Sequence, residues 1–371
     1  MNIGTHAAIS AFVALNLRTS PMRDFFQAIP FLRRCLRYTR PAVSYGRRHQ
    51  ARHFQMAMTG LQIVDIGQLS ARELDPLLLE ETADWNRELD WDFSKSADLV
   101  RKFAEARVFS GAALLDGGEV AGYGYTGLED HTGLIADVYV RPRWRSGNAE
   151  ALLFGVLLDA LIGAPGVRRI ESQLMLLEAA SAKGLARELR LFERLLMKLD
   201  ANAPLPPGRP STTRRFRIEP WSDHHLDEAA TVIPLAYSGH VDSQINDHYR
   251  TVAGASSYLH NMVQFPGSAA FSQAASYIAF HQSTGLAAGI SLSSFVADDV
   301  GHIAEICVAP DARGTGLGYE LLRQSIATLL GSGAKRISLT VTGANKEAVS
   351  LYTRCGFREA RRFHAYVWER C

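Results

Sequence analysis

The spacing of hydrophobic and polar residues in the first half of the chain predicts a strand, a helix and a hairpin in turn. Positions 61–66 alternate as in a strand, and positions 70–84 repeat apolar residues at helical spacing. Ser70 and Glu73 form the pair expected at the start of that helix, where each side chain bonds the other residue's backbone N–H. Two apolar runs within 112–123 flank a glycine-containing turn and predict a hairpin.

The second half shows a similar mixture of patterns. Positions 223–263 predict helices, and 276–292 predicts a second hairpin around a turn at 283–285. An apolar run at 302–307 is followed by a glycine-rich turn and then by a helical pattern. The order strand, turn, helix is that of a βα unit.

A proline-rich stretch separates these halves. Four prolines between Ala201 and Thr213 exclude a helix or a central strand and predict a linker at 204–212. A new alternating strand begins at Phe216. We therefore expect one domain at 58–203 and another at 213–371.

Residues 1–57 differ from the rest in composition. The stretch 1–55 has nine arginines and a single acid, Asp24. An Arg-rich, acid-poor start is typical of an organelle transit peptide. The alternative is that translation begins at Met56 or Met58, and that the upstream stretch is a gene-start error or a disordered arm. We favour the alternative, because these methionines directly precede the first strand pattern.

The two halves also resemble each other in sequence. Positions 138–147 parallel positions 306–315, each segment follows a strand, and each leads into a helix that contains a Leu-Leu pair. This parallel predicts two divergent copies of one unit, of about 150 residues each. Such a period is too long for a solenoid repeat.

Composition excludes several classes of protein. A net charge of +2 over 371 residues gives no bias toward nucleic acid or other polyanions. The four cysteines have no Cys-x-x-Cys spacing, which argues against a disulfide framework or a zinc site and favours a reducing compartment. No apolar run is long enough to span a bilayer. We expect a cytoplasmic protein with no metal, no nucleic-acid partner and no membrane contact.

The glycine-rich turn at 313–318 holds the strongest chemical signal. A helix start has unpaired backbone N–H groups and a positive dipole end. Gly314, Gly316 and Gly318 have no side chains, so a pyrophosphate can approach those N–H groups closely. The spacing is neither the dinucleotide fingerprint nor a P-loop.

Two segments resemble motifs of the GNAT superfamily of N-acetyltransferases. Arg313-Gly314-Thr315-Gly316-Leu317-Gly318 is similar to its acetyl-CoA loop, Gln/Arg-x-x-Gly-x-Gly/Ala. A second GNAT segment, Asn-x-x-Ala-x-x-Leu-Tyr-x-x-x-Gly-Phe, is matched at 345–357 after the strand at 336–341. Two motifs in the right order and at the right distance make the resemblance specific.

The resemblance implies both a fold and an activity. The fold class is α/β (α+β), with two tandem GNAT-like domains, each a mixed, mostly antiparallel central sheet flanked by helices. The activity is transfer of an acetyl group from acetyl-CoA, used as co-substrate, to a primary amine by direct attack in the C-terminal domain. The acceptor is a small amine or a peptide amine, and the protein is a monomer or a homodimer. The other class of function left open is a catalytically silent acyl-CoA sensor or scaffold.

Site roles follow from the matched positions. The resemblance implies that the backbone of Ile306, Cys307 and Val308 binds the thioester. It also implies that Tyr352 is the general acid that protonates the departing thiolate. The full acetyl-CoA-binding set comprises Ile306, Cys307, Val308, Arg313, Gly314, Thr315, Gly316, Leu317, Gly318, Tyr319 and Asn345. Bland alternatives remain: Tyr352 as a packed aromatic, Asn345 as a helix cap, and Arg313 as a residue that closes the loop.

The general base is the open position. Some family members have a glutamate on the strand before the Asn motif, where this chain has Thr340. Glu305 is the nearest substitute, because it lies one pleat from Cys307 and can face the same side. The alternative for Glu305 is a purely structural hydrogen bond, and His302 is a weaker candidate for the base.

The first copy departs from the loop pattern. Asn148 and Glu150 stand where glycines belong, and Glu150 would place a carboxylate near the pyrophosphate. A one-residue gap would bring Gly147 and Ala149 into register instead. We expect the first copy to be a structural or acceptor-side domain.

Overall fold

The computed structural model describes residues 60–145, 148–178, 189–202, 205, 207–208, 212, 214–264 and 269–370. The basic extension 1–57 and part of the linker 204–212 lie outside these residues, so those two predictions stay predictions. Contacts divide the chain into two compact units. The first unit holds the described residues up to Leu191 together with those from Tyr366 onward, and the second unit is Phe192–Ala365.

The described residues of the first unit form a mixed sheet and three helices. Its elements in chain order are β1 (Leu61–Asp65), α1 (Ala71–Leu89), α2 (Ser94–Ala106), β2 (Gly111–Asp116), β3 (Glu119–Glu129), β4 (Thr132–Val140), α3 (Ala149–Gly163) and β5 (Arg169–Leu174). The strands follow the order β1-β2-β3-β4-β5, antiparallel except for the parallel pair β4–β5. The expected capping box is present at the start of α1, where the Ser70 side chain accepts from the Glu73 N–H.

The second unit repeats this plan. Its elements are β6 (Arg190–Asp200), β7 (Phe216–Pro220), α4 (Leu226–Tyr237), α5 (Asp242–Ile245), α6 (Val252–Gln264), β8 (Ala270–Phe271), β9 (Tyr277–His281), β10 (Ala287–Ala297), β11 (Val300–Val308), α7 (Leu317–Gly331), β12 (Arg336–Thr342), α8 (Lys346–Arg354) and β13 (Arg358–Glu369). The strand order is β6-β12-β11-β10-β9-β7, with β11–β12 the parallel pair.

Two strands, β6 and β13, do not follow the division that the linker at 204–212 predicts. Strand β6 lies before the linker, yet from Phe192 onward it belongs to the second unit, where its residues 194–200 pair with β12. Strand β13 belongs to the second unit as far as Ala365 and to the first unit from Tyr366. Each compact unit therefore includes a strand segment from beyond the linker.

Apolar side chains pack on both faces of the second unit's sheet. Ile290, Leu292 and Ala304 face the helices α4 and α6, in a cluster with Ile233 and Leu259. Helix α7 covers the other face through Leu322, Ile326 and Leu329, which pack on β11 and β12. Burial of this kind stabilises by about 25 cal/mol for each Å² of apolar surface. Helices therefore cover both faces of this sheet.

A glycine on one strand marks the same helix contact in both units. A Cβ added at Gly133 on β4 would lie 3.1 Å from the side chain of Leu161 on α3, and one added at Gly301 on β11 would lie 3.0 Å from Leu329 on α7. Only glycine lets the helix approach so closely without displacing the leucine. Matching glycine–leucine contacts at matching positions support the tandem repeat predicted from the sequence.

None of the helices in the described part of the chain combines the length and the apolar character that crossing a bilayer requires.

Candidate functional site

A wedge opens between two parallel strands of the second unit. Pairing of β11 with β12 ends at Ile303 and Leu339, although β11 continues to Val308 and β12 continues to Thr342. A bulge at Ala304 lies where this pairing ends. Glu305 pairs with Leu292 on β10 and Ile303 pairs with the next residue, Ser293, so Ala304 has no partner in this register. Bulges bend a strand and re-aim its side chains. The backbone of β11 beyond Ile303 therefore borders an opening instead of a paired strand.

This opening is part of a cavity of about 430 Å³ that continues to the start of α7. Of the acetyl-CoA-binding residues predicted from the sequence, all except Thr315 line it, and so does Tyr352. Thr340 and Val341 of β12 form the opposite side of the wedge from Ile306, Cys307 and Val308. The tertiary fold thus brings together two motifs that lie about thirty residues apart in sequence.

The glycine-rich turn has the conformation that only glycine adopts readily. Gly314 and Gly316 have φ of 70° and 89°, and Gly316 is the N-cap of α7. Gly318 has ordinary φ, and a Cβ placed there would meet only Val308, at 3.7 Å. The first N–H groups of a helix have no intrahelical partner, and the dipole adds positive character there. The turn is therefore open to an anion beside the wedge.

Two side chains of the turn are used within the protein. Arg313 donates from Nη2 to the carbonyl oxygen of Ala236, at 2.5 Å, and so holds the end of α4 against the turn. Thr315 donates from its hydroxyl to the carbonyl of Ala312 at 2.6 Å. The loop-closing alternative for Arg313 agrees with this contact.

Asn345 caps α8 and also reaches a histidine. Its Oδ1 accepts from the Ala348 N–H at 3.1 Å, and its Nδ2 lies 3.1 Å from Nε2 of His240. Tyr352, about two helical turns further on, is 4% exposed and lines the cavity. Burial, followed by the charge of Glu305, raises the pKa of Tyr352, so its phenol keeps its proton at neutral pH.

Glu305 is enclosed by three tyrosines. Its Oε1 accepts from the Tyr237 hydroxyl at 2.5 Å, and its Oε2 accepts from Tyr249 at 2.7 Å and from Tyr258 at 3.3 Å. Burial, with the charge of Glu305 next, raises the pKa of each of these tyrosines well above its usual range. Glu305 itself is fully buried and does not reach the cavity lining, whereas Tyr237 does.

Three other side chains of β11 and β12 lie near the wedge. Cys307 lines the cavity, and burial followed by the charge of Glu305 raises the pKa of its thiol well above its usual range, which disfavours a thiolate. His302 is fully buried, with Nδ1 2.9 Å from the Ser338 hydroxyl. Thr340 has no acidic group, and its hydroxyl accepts a hydrogen bond from Nη2 of Arg194 at 3.4 Å.

Sequence reasoning missed a buried ion pair at this site. Arg194 of β6 is 2% exposed, and its Nη1 lies 3.3 Å from Oδ1 of Asp242, the first residue of α5. Asp242 and His240 both line the cavity. The available signal was an arginine beside the apolar run Leu195-Leu196-Met197, because an unpaired charge is costly in a buried strand.

The first unit has the same geometry with different side chains. Asn148 occupies the left-handed position before α3, with φ of 65°, as Gly316 does before α7. Glu150 is 4% exposed in the first turn of α3, where it accepts from the Glu178 N–H at 3.4 Å and lies 3.7 Å from Nε of Arg145. The ungapped register is therefore the one that the fold adopts, and a carboxylate stands beside this helix start.

A buried pair of acids occupies the position of Glu305 in the first unit. Asp137 follows a bulge on β4 that matches the bulge on β11, and it is hydrogen-bonded to Glu81 of α1. Glu81 also accepts from the Tyr123 hydroxyl at 2.8 Å and from Trp85 Nε1 at 3.2 Å. Trp85, Trp91 and Phe93 are buried around this pair, which favours core packing over the wall of an acceptor pocket.

Comparison with known proteins agrees with this geometry. The model of the Acetyltransferase (GNAT) family matches residues 246–357. Mycothiol acetyltransferase of Corynebacterium jeikeium is 46% identical over 57 residues, which are 15% of this chain and 16% of that protein. Mycothiol acetyltransferase of Propionibacterium freudenreichii subsp. shermanii is 25% identical over 255 residues, which cover 65% of this chain and 72% of that protein.

Solved structures share the fold at low sequence identity. A GCN5-related N-acetyltransferase from Sphaerobacter thermophilus has a TM-score of 0.59 at 16% identity, covering 83% of this chain and 95% of its own. A tandem GNAT protein from the clavulanic acid biosynthesis pathway has a TM-score of 0.56 at 15% identity, covering 83% of this chain and 98% of its own. These likenesses show the tandem GNAT fold.

Proposed function

Because this chain belongs to the GNAT acetyltransferase family and is an acyltransferase, we propose that its second unit moves an acetyl group from acetyl-CoA to a primary amine by direct attack. The observation that supports this most is the wedge between β11 and β12, which opens directly onto the glycine-rich start of α7. A long, thin substrate with a pyrophosphate at its middle fits a slot that ends at a helix N-terminus.

The residues of the wedge suit two parts of that substrate, the pyrophosphate and the thioester arm. The N–H groups at the start of α7 hold the pyrophosphate, and the absence of a side chain at Gly318 leaves room for it. The unpaired edge of β11 at Ile306, Cys307 and Val308 lies along the thioester arm. Backbone N–H groups fixed in this way stabilise negative charge on the thioester oxygen as the amine attacks.

Proton removal from the amine is assigned to Tyr237 and Glu305 together. The three tyrosines shield Glu305 from the cavity, so the acid does not meet the amine directly. The Tyr237 oxygen accepts a proton from the amine while its own proton passes to Glu305 Oε1, which lies 2.5 Å away. Tyr237 ends neutral and Glu305 ends protonated, so charge and protons balance.

Tyr352 serves the leaving thiolate. Its raised pKa keeps the phenol protonated. Among the described residues, its hydroxyl has no hydrogen-bond partner that would compete with the sulfur for the proton. Donation from Tyr352 to the sulfur stabilises charge that appears only as the carbon–sulfur bond breaks, which is the condition for catalysis.

The test is calorimetric titration of the full chain with acetyl-CoA, followed by detection of acetyl transfer to amines. Gly318→Glu places a carboxylate at the start of α7, without backbone strain, at the position that Glu150 holds in the first unit. We expect it to weaken acetyl-CoA binding by at least about tenfold, through like-charge repulsion at the pyrophosphate. Gly331→Glu, at the exposed far end of the same helix with open space around it, is the matched control.

The outcomes separate the two classes of function. Binding that Gly318→Glu weakens by at least about tenfold, together with transfer to an amine that Tyr352→Phe slows, supports the acetyltransferase. Binding without transfer to any amine favours the silent sensor or scaffold. No binding of acetyl-CoA to the wild-type chain would overturn the proposal.

A further inference from the structure

A second carboxylate borders the cavity, outside both sequence motifs. Asp242 begins α5, is 6% exposed, and lines the cavity together with Tyr237, Cys307 and Tyr352. The transfer as proposed above uses neither Asp242 nor its partners. A buried acid beside a reaction cavity needs either a structural partner for each oxygen or a ligand.

Among the described residues, only Oδ1 of Asp242 has partners within hydrogen-bond distance. Oδ1 lies 3.3 Å from Nη1 of Arg194 and also accepts from the Thr342 hydroxyl. Arg194 is held in place in turn, because its Nη1 donates to Thr342 at 3.0 Å. Burial acts to raise the pKa of Asp242, but the Arg194 guanidinium and the Thr342 hydroxyl bring it below its usual value. Asp242 is therefore ionised at neutral pH.

The other oxygen, Oδ2, faces a histidine beyond hydrogen-bond distance. It lies 3.7 Å from Nδ1 of His240, and that nitrogen is already engaged with the backbone N–H of Asp242 at 3.1 Å. Burial lowers the pKa of His240, which keeps the ring uncharged and so removes it as a counterion. One side of an ionised carboxylate thus remains for a donor that enters the cavity.

We propose that Asp242 is the acceptor-binding residue and that its Oδ2 receives the ammonium group of a small primary amine. This inference rests on the proposed function and names the class of acceptor: an amine that arrives as a cation. A hydrogen bond between ammonium and carboxylate is charge-assisted and about twice as strong as a neutral one. An alcohol or a thiol of the same shape lacks that charge.

Two acids near one cavity then have different tasks. Asp242 has a lowered pKa, so it holds the ammonium but does not remove its proton. The proton leaves through Tyr237 to Glu305, which stands on strand β11 and accepts hydrogen bonds from three tyrosine hydroxyls.

The experiment measures radiolabelled acetyl transfer from acetyl-CoA to D-glucosamine, tyramine, L-alaninamide and a hexapeptide with a free amino terminus. The full-length wild type identifies the best acceptor of these four, and the variants are compared with that acceptor. We expect Asp242→Asn to raise the KM for the amine about tenfold to hundredfold, as for loss of a hydrogen bond to a charged group. The kcat and the acetyl-CoA dissociation constant should change far less.

Two further variants make the result specific. Asp247→Asn removes an exposed carboxylate a few residues away, paired with Arg250 outside the cavity, and should leave the KM unchanged. Asp242→Glu keeps the charge and should recover part of the KM, which a purely structural role for the aspartate would not do. Thermal melting of each variant shows whether it is folded.

Each outcome decides between the proposals. A raised KM in Asp242→Asn with partial recovery in Asp242→Glu supports the assignment. An unchanged KM with transfer intact overturns it and leaves the acetyltransferase standing. If neither Asp242 variant folds, the aspartate is structural and the inference is wrong. Failure of all four amines to be acetylated, although acetyl-CoA binds, overturns both proposals.

Discussion

The hydroxyl of Tyr237 lies between Glu305 and the cavity, 2.5 Å from the carboxylate. Tyr237 also stacks on Tyr249, with ring centroids 4.2 Å apart and an interplanar angle of 8°. The stacking fixes the ring while the hydroxyl bonds Glu305. A buried acid is thereby connected to the cavity through the Tyr237 hydroxyl.

We predict that Tyr237→Phe keeps the stacking but lowers kcat by about a hundredfold, the lower end of the contribution of general acid–base catalysis. The acetyl-CoA dissociation constant should not change, because the ring remains in place. Tyr249→Phe is the matched control: it also loses a bond to Glu305, but Tyr249 lies outside the described lining of the cavity. Equal losses of kcat in both variants would argue against a route through Tyr237.

The first unit should not bind acetyl-CoA. Glu150 stands beside the start of α3, and Asn148 takes the position of Gly316. We expect calorimetry to give one acetyl-CoA site per chain. A stoichiometry of two, with one site that survives Gly318→Glu, would mean that the first unit binds as well.

The buried acid pair of the first unit should make stability fall as pH rises. Burial raises the pKa of Asp137 from 3.8 to about 6, and burial together with the Asp137 charge raises the pKa of Glu81 well above its usual range. The folded chain holds protons that the unfolded chain has lost, so the contribution to stability is complete below about pH 4 and decreases through pH 6 and above.

The variant Glu81→Gln imitates the protonated acid and tests this dependence. Its melting temperature should exceed that of the wild type at pH 8, by about 2–4 °C for each kcal/mol recovered, and the two should converge near pH 4. Glu88→Gln, at an exposed position of the same helix, should follow the wild type at both pH values. A constant difference between Glu81→Gln and the wild type across pH would contradict the assignment.

Asn345 should prove to be both a cap and a ligand. Asn345→Ala removes the acceptor for the Ala348 N–H and should cost about 1 kcal/mol of stability, the usual value for an N-cap. Asn345→Asp keeps an acceptor there and should restore the melting temperature. The amide nitrogen, which lies near His240, should contribute to binding, so both variants should weaken acetyl-CoA binding in the calorimeter. Full recovery of binding in Asn345→Asp would leave capping as the sole role.

Local sequence features were sufficient for most elements of the fold. The capping box of α1, the glycine turn of the first hairpin and the strand–turn–helix order around 302–319 are all present as predicted. These features depend on residues within a few positions of one another, through backbone conformation and side-chain periodicity. Placement of β6 in the second unit was not predicted, because strand pairing across a linker depends on distant partners.

The sequence by itself determined the glycine-rich turn, its helix and the second motif, since conformation at Gly314 and Gly316 is a local property of residues without side chains. Only the tertiary structure decided what surrounds the reaction. Tyr237 and Glu305 are 68 positions apart, and Arg194 and Asp242 are 48 apart. Their contacts arise because a bulge at Ala304 and the end of the β11–β12 pairing bring separate elements to one cavity. No spacing rule along the chain specifies such contacts, because they depend on packing between elements.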